Sequence, residues 1–208
     1  MSKLEKLKKE LIDYGKLAGE KNFTPGYSGN LSARFGDKIL ITSSGSANGY
    51  LSEDELVLMD FEGNLIEGDK KPSSEKMLHV EFYRQRPDVN YIIHVHSPYL
   101  STFACMHIAL DEPIMAENVF YFGQIPLAEY GLPSSMDLVS KTAKFFKEYD
   151  AVLMANHGFI VGDRTIKDAF LKLELAESYA QVVFNTKVMG QPVLFTKEQV
   201  EEINSLKK

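Results

Sequence analysis

Apolar residues recur at three-to-four spacing near the start of the chain, at Leu4, Leu7, Leu11, Tyr14 and Leu17, which predicts an amphipathic helix within Met1 to Asn22. A glycine-rich turn, Thr24-Pro-Gly-Tyr-Ser-Gly-Asn30, follows, and the period then drops to two. Leu31 to Phe35 and Lys38 to Thr42 alternate and read as a hairpin joined at Gly36-Asp37. After a loop from Gly45 to Glu53, Leu56-Val-Leu-Met-Asp60 is strand-like, and the turn Glu62-Gly-Asn64 leads into Leu65-Ile66. From Ser74 to Arg86 the pattern is helical and stops before Pro87, because a residue preceding proline avoids the α region.

In the second half, Asn90 to Val95 reads as an apolar strand and Tyr99 to Met106 as a helix after Pro98. Gly123 to Ala128 resembles a short strand, Ser135 to Tyr149 an amphipathic helix, and Ala151 to Ala155 an apolar strand that Phe159-Ile-Val161 extends. A long helix is expected from Ile166 to Val188, striped by Ala169, Leu173, Ala176, Ala180 and Val183, with a terminal helix from Lys197 to Leu206. The pattern predicts an α/β fold of three layers, α/β/α, with a central mainly antiparallel sheet. With no repeat or linker in 208 residues, it predicts a single domain over 1–208.

Composition adds exclusions. A net charge of −6 supplies no general attraction to nucleic acid or to an anionic membrane, so any phosphate recognition must be local, as for a small phosphorylated ligand. No apolar run approaches the roughly 18 to 20 residues that span a bilayer, and the N-terminus lacks the apolar core of a secretory signal. The lone Cys105 excludes an intrachain disulfide framework and makes the cytoplasm the default expectation. A buried structural thiol is the expected state of Cys105.

The chemistry concentrates in three histidines, His94 and His96 in Tyr91-Ile-Ile-His-Val-His96 and His157 in Asn156-His-Gly158. In a strand, His-x-His puts both imidazoles on one face, about 7 Å apart along the chain. A third histidine from a distant strand-like run and a carboxylate complete three nitrogen ligands plus an exchangeable oxygen, the donor set of catalytic zinc or a similar divalent metal. Ser73-Ser-Glu75 reads as an N-cap cluster, with a serine capping the helix and Glu75 in its first turn. The same feature, a helix start with free amides and two hydroxyls, also suits phosphate. Gly29-Asn30 and Thr42-Ser-Ser-Gly45 offer further amides and hydroxyls, though each taken singly reads as a turn before a site. His79, one helical turn after Glu75, and His107 read as surface or structural groups outside the site.

Taken in order, Gly29-Asn-Leu-Ser32, Ile41-Thr-Ser-Ser-Gly45, Glu67-Gly-x-x-Lys-Pro-Ser-Ser-Glu75, Arg86-Pro-Asp88, His94-Val-His96, Ile125-Pro126 and Asn156-His-Gly158 resemble the class II aldolase/adducin family. The resemblance is strongest to its L-fuculose-1-phosphate aldolase branch and spans about Gly26 to Gly190. It implies a metal-dependent aldolase that reversibly cleaves a ketose 1-phosphate, such as L-fuculose 1-phosphate or a 5-deoxypentulose 1-phosphate, into dihydroxyacetone phosphate and a short aldehyde. It also implies a homotetramer with active sites between subunits. By the same resemblance His94, His96 and His157 match ligands of Zn2+, with Mn2+ or Co2+ as alternatives. Glu75 matches a carboxylate that both ligates the metal and serves as acid/base. Gly29, Asn30, Ser44, Gly45, Ser73 and Ser74 match phosphate-binding positions.

The pattern departs at the aldehyde end: Glu117 stands where that branch carries a tyrosine, and no tyrosine follows Tyr179. Glu117, Tyr121 or a group from a neighbouring subunit are the candidates for the acid there. The alternatives within the superfamily are a pentulose 5-phosphate 4-epimerase and a sugar-phosphate dehydratase or decarboxylase. A non-catalytic, adducin-like interaction module would be expected to lose the histidines.

Overall fold

A computed structural model describes residues 2–207; Met1, which opens the predicted first helical segment, and Lys208 lie outside the described residues. Among the described residues eight strands form one sheet, in the order β4-β3-β2-β1-β5-β8-β7-β6. The strands are β1 (Asn30–Phe35), β2 (Lys38–Thr42), β3 (Leu56–Met59), β4 (Leu65–Glu67), β5 (Tyr91–Val95), β6 (Leu127–Ala128), β7 (Ala151–Met154) and β8 (Gly158–Asp163). Only the β6 and β7 pairing is parallel; the others are antiparallel, as expected.

Period-two alternation sorts the strands' side chains to two faces. On one face Leu31, Ala33, Ile93, Val95, Phe159 and Val161 pack against helices α1 (Lys3–Glu20), α3 (Pro98–Met106) and α6 (Ile166–Met189). On the other, Ile39, Ile41, Ile92, Val152, Met154 and Ile160 meet α2 (Lys76–Gln85) and α5 (Met136–Thr142). That is the predicted three-layer arrangement. Helix α1 starts at a capping box, with Ser2 and Glu5 satisfying each other's amides. In α6 the predicted stripe of Ala169, Leu173, Ala176, Ala180 and Val183 is wholly buried. The second core is closed by Phe82 stacked on Phe146 at 4.2 Å, and Phe82→Ala would cost about 3–5 kcal/mol.

Several boundaries differ from the sequence pattern for local reasons. Phe159-Ile-Val161 does not extend the strand before it: the chain reverses at Asn156, whose φ is 53°, and β8 returns antiparallel to β7. The helix expected from Ser135 to Tyr149 starts from Ser135, whose hydroxyl accepts from Leu138 N–H, but tightens to a 3-10 turn at Ala143–Phe145. The strand expected over Gly123 to Ala128 shrinks to β6 and an isolated bridge from Ile125 to Leu110, since Pro126 between them has no N–H to give a ladder, although its carbonyl accepts from Leu153. A short helix α4 (Ala116–Tyr121) and a terminal α7 (Lys197–Ser205) complete the chain; six residues are too few for α4 to show a period. Cys105 is exposed rather than buried, because Leu100, Phe103 and Ala104 form the inward side of α3 and the next residue turns to solvent.

Candidate metal centre and the cleft around it

The three histidines reach one point from two neighbouring pieces of the sheet. His94 lies within β5, opposite Asn30 of β1 on one side and Ile160 of β8 on the other. His96 follows just past the end of β5, its amide donating to the Phe23 carbonyl. Two residues on, the start of α3 is capped from outside by Glu177 of α6, whose buried carboxylate accepts from Ser97 Oγ and from the amides of Tyr99 and Leu100 at 2.7–2.9 Å. His157 sits in the turn between β7 and β8, where Asn156 in the left-handed region has its Oδ1 2.6 Å from His107 Nε2. Close backbone approach makes two glycines necessary. A Cβ on Gly158 would fall 2.5 Å from the Val95 carbonyl oxygen, and one on Gly29, at φ +74°, 2.4 Å from that of His94.

Rather than lying 7 Å apart, the rings of His94 and His96 converge, with Nε2 atoms 3.1 Å apart. Glu75, at the start of α2, places Oε2 3.1 Å from His94 Nε2 and Oε1 3.1 Å from His157 Nε2. The candidate ligand nitrogens all lie within 4.8 Å of one another. Nitrogens about 2.0–2.1 Å from a tetrahedral ion sit roughly 3.3 Å apart, close to the spacing of His94 and His96. His94 Nδ1 lies 2.9 Å from the Phe159 carbonyl, so its N–H points outward and Nε2 faces the cluster. Oε1 of Glu75 is buried without an in-line hydrogen-bond partner, as is Nδ1 of His157. A donor set of three imidazoles and a carboxylate with an unsatisfied oxygen fits a divalent cation.

Electrostatics agree. Burial alone would raise the Glu75 pKa, but His94 and His157 outweigh it and hold the carboxyl well below its usual range. Burial disfavours charge on His94, yet the facing Glu75 carboxylate raises its pKa. Burial, with His94 and His157 alongside, pushes His96 down to about 3.

All six candidate phosphate positions, Gly29, Asn30, Ser44, Gly45, Ser73 and Ser74, line one cleft of about 410 Å³ together with Glu75, His96 and His157. An isolated β-bridge between Ser43 and Pro72 joins its two serine loops, flanked by bonds from Ser44 N–H to Lys71 and from Ser73 N–H to Thr42. The serines do not cap α2 as expected: Glu75 occupies the N-cap position without a side-chain cap, and Ser73 Oγ accepts from the Glu75 amide at 3.3 Å. That leaves both hydroxyls on the cleft side. Tyr27, Pro133, Ser134 and Asn156 also line the cleft; of these only Asn156 stands in a motif of the sequence, Asn156-His-Gly158, and Ser134 shares its left-handed backbone at φ 65°. Glu117 and Tyr121 are not brought to the cleft; they line a surface groove between α4 and α7 with Phe120, Ile203 and Leu206. His79, read as surface or structural, is fully buried. Its ring reaches Asn30, and through Asn30 the carboxylate of Glu75.

Comparison with known proteins gives the same outline. A family profile described as "Class II Aldolase and Adducin N-terminal domain" matches residues 9–184. A 5-deoxy-D-ribulose 1-phosphate aldolase of Bacillus thuringiensis serovar kurstaki is 33% identical over 96% of this chain and 94% of its own. A solved L-fuculose 1-phosphate aldolase superposes with a TM-score of 0.91 at 33% identity, over 99% of this chain and 97% of the other. A 3-oxo-tetronate 4-phosphate decarboxylase of Haemophilus influenzae is 32% identical over 95% of this chain and 96% of its own.

Proposed function

Because the chain belongs to the class II aldolase and adducin family, we propose that it is a metal-dependent aldolase that reversibly cleaves a ketose 1-phosphate into dihydroxyacetone phosphate and a short aldehyde. The observation that carries this reading is a single cleft in which Glu75, His96 and His157, with His94 buried against them, meet a rim of serines and glycines. Two of the relatives above, one acting on 5-deoxy-D-ribulose 1-phosphate and one on L-fuculose 1-phosphate, support that substrate class.

His94, His96 and His157 would hold the ion, with Glu75 as fourth ligand before substrate arrives. Zinc is favoured by the three-imidazole set, with manganese or cobalt as substitutes. When bound, such an ion supplies Lewis-acid stabilisation of negative charge on the substrate's carbonyl and neighbouring hydroxyl oxygens. Ser73 and Ser74, with Ser44, Asn30 and the amides at Gly29 and Gly45, would bind the phosphate and so fix which carbon faces Glu75. Ionised Glu75 would then take the proton from the dihydroxyacetone phosphate carbon next to the carbonyl in the condensation direction, and the carboxylic acid so formed would return it to that carbon in cleavage. Its carboxylate is suited to this: it is buried, ionised and hydrogen-bonded on one oxygen only. Neither Glu117 nor Tyr121 lines the cleft of its own chain, so the group that accepts the hydroxyl proton as the aldehyde forms, and returns it in condensation, comes from a neighbouring copy in a homotetramer. The exposed Met106, Phe184 and Val188 support burial against another copy. Among the described residues no helix is long and apolar enough to cross a membrane, and the single cysteine suits the cytoplasm.

The decisive experiment offers the protein a panel of ketose 1-phosphates and measures released dihydroxyacetone phosphate, with metal content determined on the same preparation. Release by a stoichiometrically loaded protein is expected. A second reading, decarboxylation of a 3-oxo acid phosphate, is favoured by the similarity to the Haemophilus influenzae enzyme; carbon dioxide without dihydroxyacetone phosphate would establish it in place of the first.

A further inference from the structure

Strand β1 and helix α2 are joined by a run of buried polar contacts that hydrophobic packing does not require. Two strand residues rise about 6.6 Å and four helical residues about 6.0 Å, so alternate residues of one element and successive turns of the other stay in step. Asn30 faces Glu75 and His79, Ser32 faces His79 and Tyr83, and Arg34 reaches the carbonyls of Tyr83 and Arg86. Ser32 and His79 are fully buried and Tyr83 nearly so.

Donors and acceptors fix a single direction along this run. Asn30 lies 3.0 Å from Glu75 Oε2, and a carboxylate only accepts, so the amide turns its Nδ2–H to Glu75. Its Oδ1 therefore faces His79 Nε2 at 2.5 Å and can only accept, which places the ring proton on Nε2. Nδ1 of His79 is then an acceptor and takes the Ser32 hydroxyl proton at 2.7 Å. Ser32 Oγ, having given its proton, accepts from Tyr83 at 2.8 Å. If Tyr83 turned to the Asn90 carbonyl at 3.4 Å and Ser32 gave its proton to Tyr83 instead, His79 would have to donate from Nδ1 and accept on Nε2 from Asn30, setting amide oxygen against carboxylate. Burial pushes His79 down to about 3, with His94 adding to the effect, so the ring is neutral.

We infer that His79 is a positioning residue, which with Ser32 and Tyr83 behind it locks the Asn30 amide in the orientation that presents N–H to Glu75 and to the cleft. A free amide could present its oxygen instead, repelling both Glu75 and a phosphate. The inference rests on Glu75 being the proton-carrying group of the proposed aldolase, but its first test does not.

That test is NMR of the full-length, zinc-loaded protein labelled with 15N-histidine. His79 is expected as a neutral ring protonated on Nε2, slow to exchange with solvent; an Nδ1–H ring or an imidazolium overturns the inference whether or not any sugar phosphate is cleaved. The second test compares His79→Gln, whose amide nitrogen reaches the position of Nε2, with His79→Asn, which reaches only that of Nδ1. At similar melting temperatures and full metal content, His79→Asn is expected to lower turnover about 10- to 100-fold and His79→Gln to stay within about threefold of wild type. Equal turnover in the two, or turnover that follows the melting temperature, overturns a positioning role. A wild-type protein that cleaves no ketose 1-phosphate would sink the aldolase reading alone and leave the tautomer result to decide.

Discussion

The two ends of strands β5 and β8 are built on opposite principles. At one end Tyr91 pairs with Asp163, and the nearby charges complete one another. Arg86 holds Asp88 and Asp150 at 2.8 Å, and Lys172 contacts Asp150 and holds Asp163 at 2.7 Å. At the other end Val95 pairs with Phe159, and His94, His96, His157 and Glu75 crowd together with a carboxylate oxygen left over. One end closes on itself; the other does not. Burial of polar groups alone thus does not mark a site, whereas burial with unmet valence does.

Breaking the open end should have the largest effect. His94→Ala is expected to abolish stoichiometric metal binding and lower aldol cleavage by about 10²- to 10³-fold or more, read by metal analysis and released dihydroxyacetone phosphate; retained metal would erase the contrast. Glu75→Gln should keep the metal but lower cleavage about 10²-fold. Unimpaired cleavage would remove Glu75 from the chemistry. At the rim, Ser73→Ala with Ser74→Ala should raise KM for the phosphorylated substrate about tenfold and change kcat far less, so an unchanged KM would argue against the phosphate cradle.

The closed end should answer in stability alone. Asp150→Asn is expected to cost about 1–2 kcal/mol in denaturant unfolding, a partly exposed pair being screened, and to leave cleavage unchanged. The smallest effect concerns acid. Burial raises the Asp150 pKa but Lys172 and Arg86 outweigh it, leaving it depressed. Its contribution is therefore fully present above the unfolded carboxylate value near 4 and is lost as pH falls through the lower folded value. Wild type should lose stability faster than Asp150→Asn in that window; parallel curves would show that the network does not drive acid sensitivity.

The same contrast explains what could be read from the chain. His94 and His96 announce themselves because a strand's alternation brings near neighbours in sequence to one face, and the stripe of α6 appears for the equivalent helical reason. The turn at Asn156 was hidden because one left-handed residue reverses a run whose apolar pattern continues on both sides. Cys105 was misplaced because one step around a helix separates its inner and outer faces. The link from His79 to Asn30 spans 49 residues and depends on two periods falling into step, which neither segment shows alone. Glu117 and Tyr121 stand on α4 in the groove against α7, outside the cleft of their own chain.

The hairpin turn that carries His157 also bears on the order of folding. His94 and His96 are two residues apart in the chain, but the bond from His94 to Phe159 closes a separation of 65 residues, the kind of non-local pairing that forms late because its loop must close before any contact compensates. A metal ion can therefore be gripped by all three imidazoles only after β8 has docked on β5. Capture of the ion would then follow assembly of the central sheet rather than nucleate it, and a bound ion would act chiefly on the unfolding rate, as a clasp fastened last.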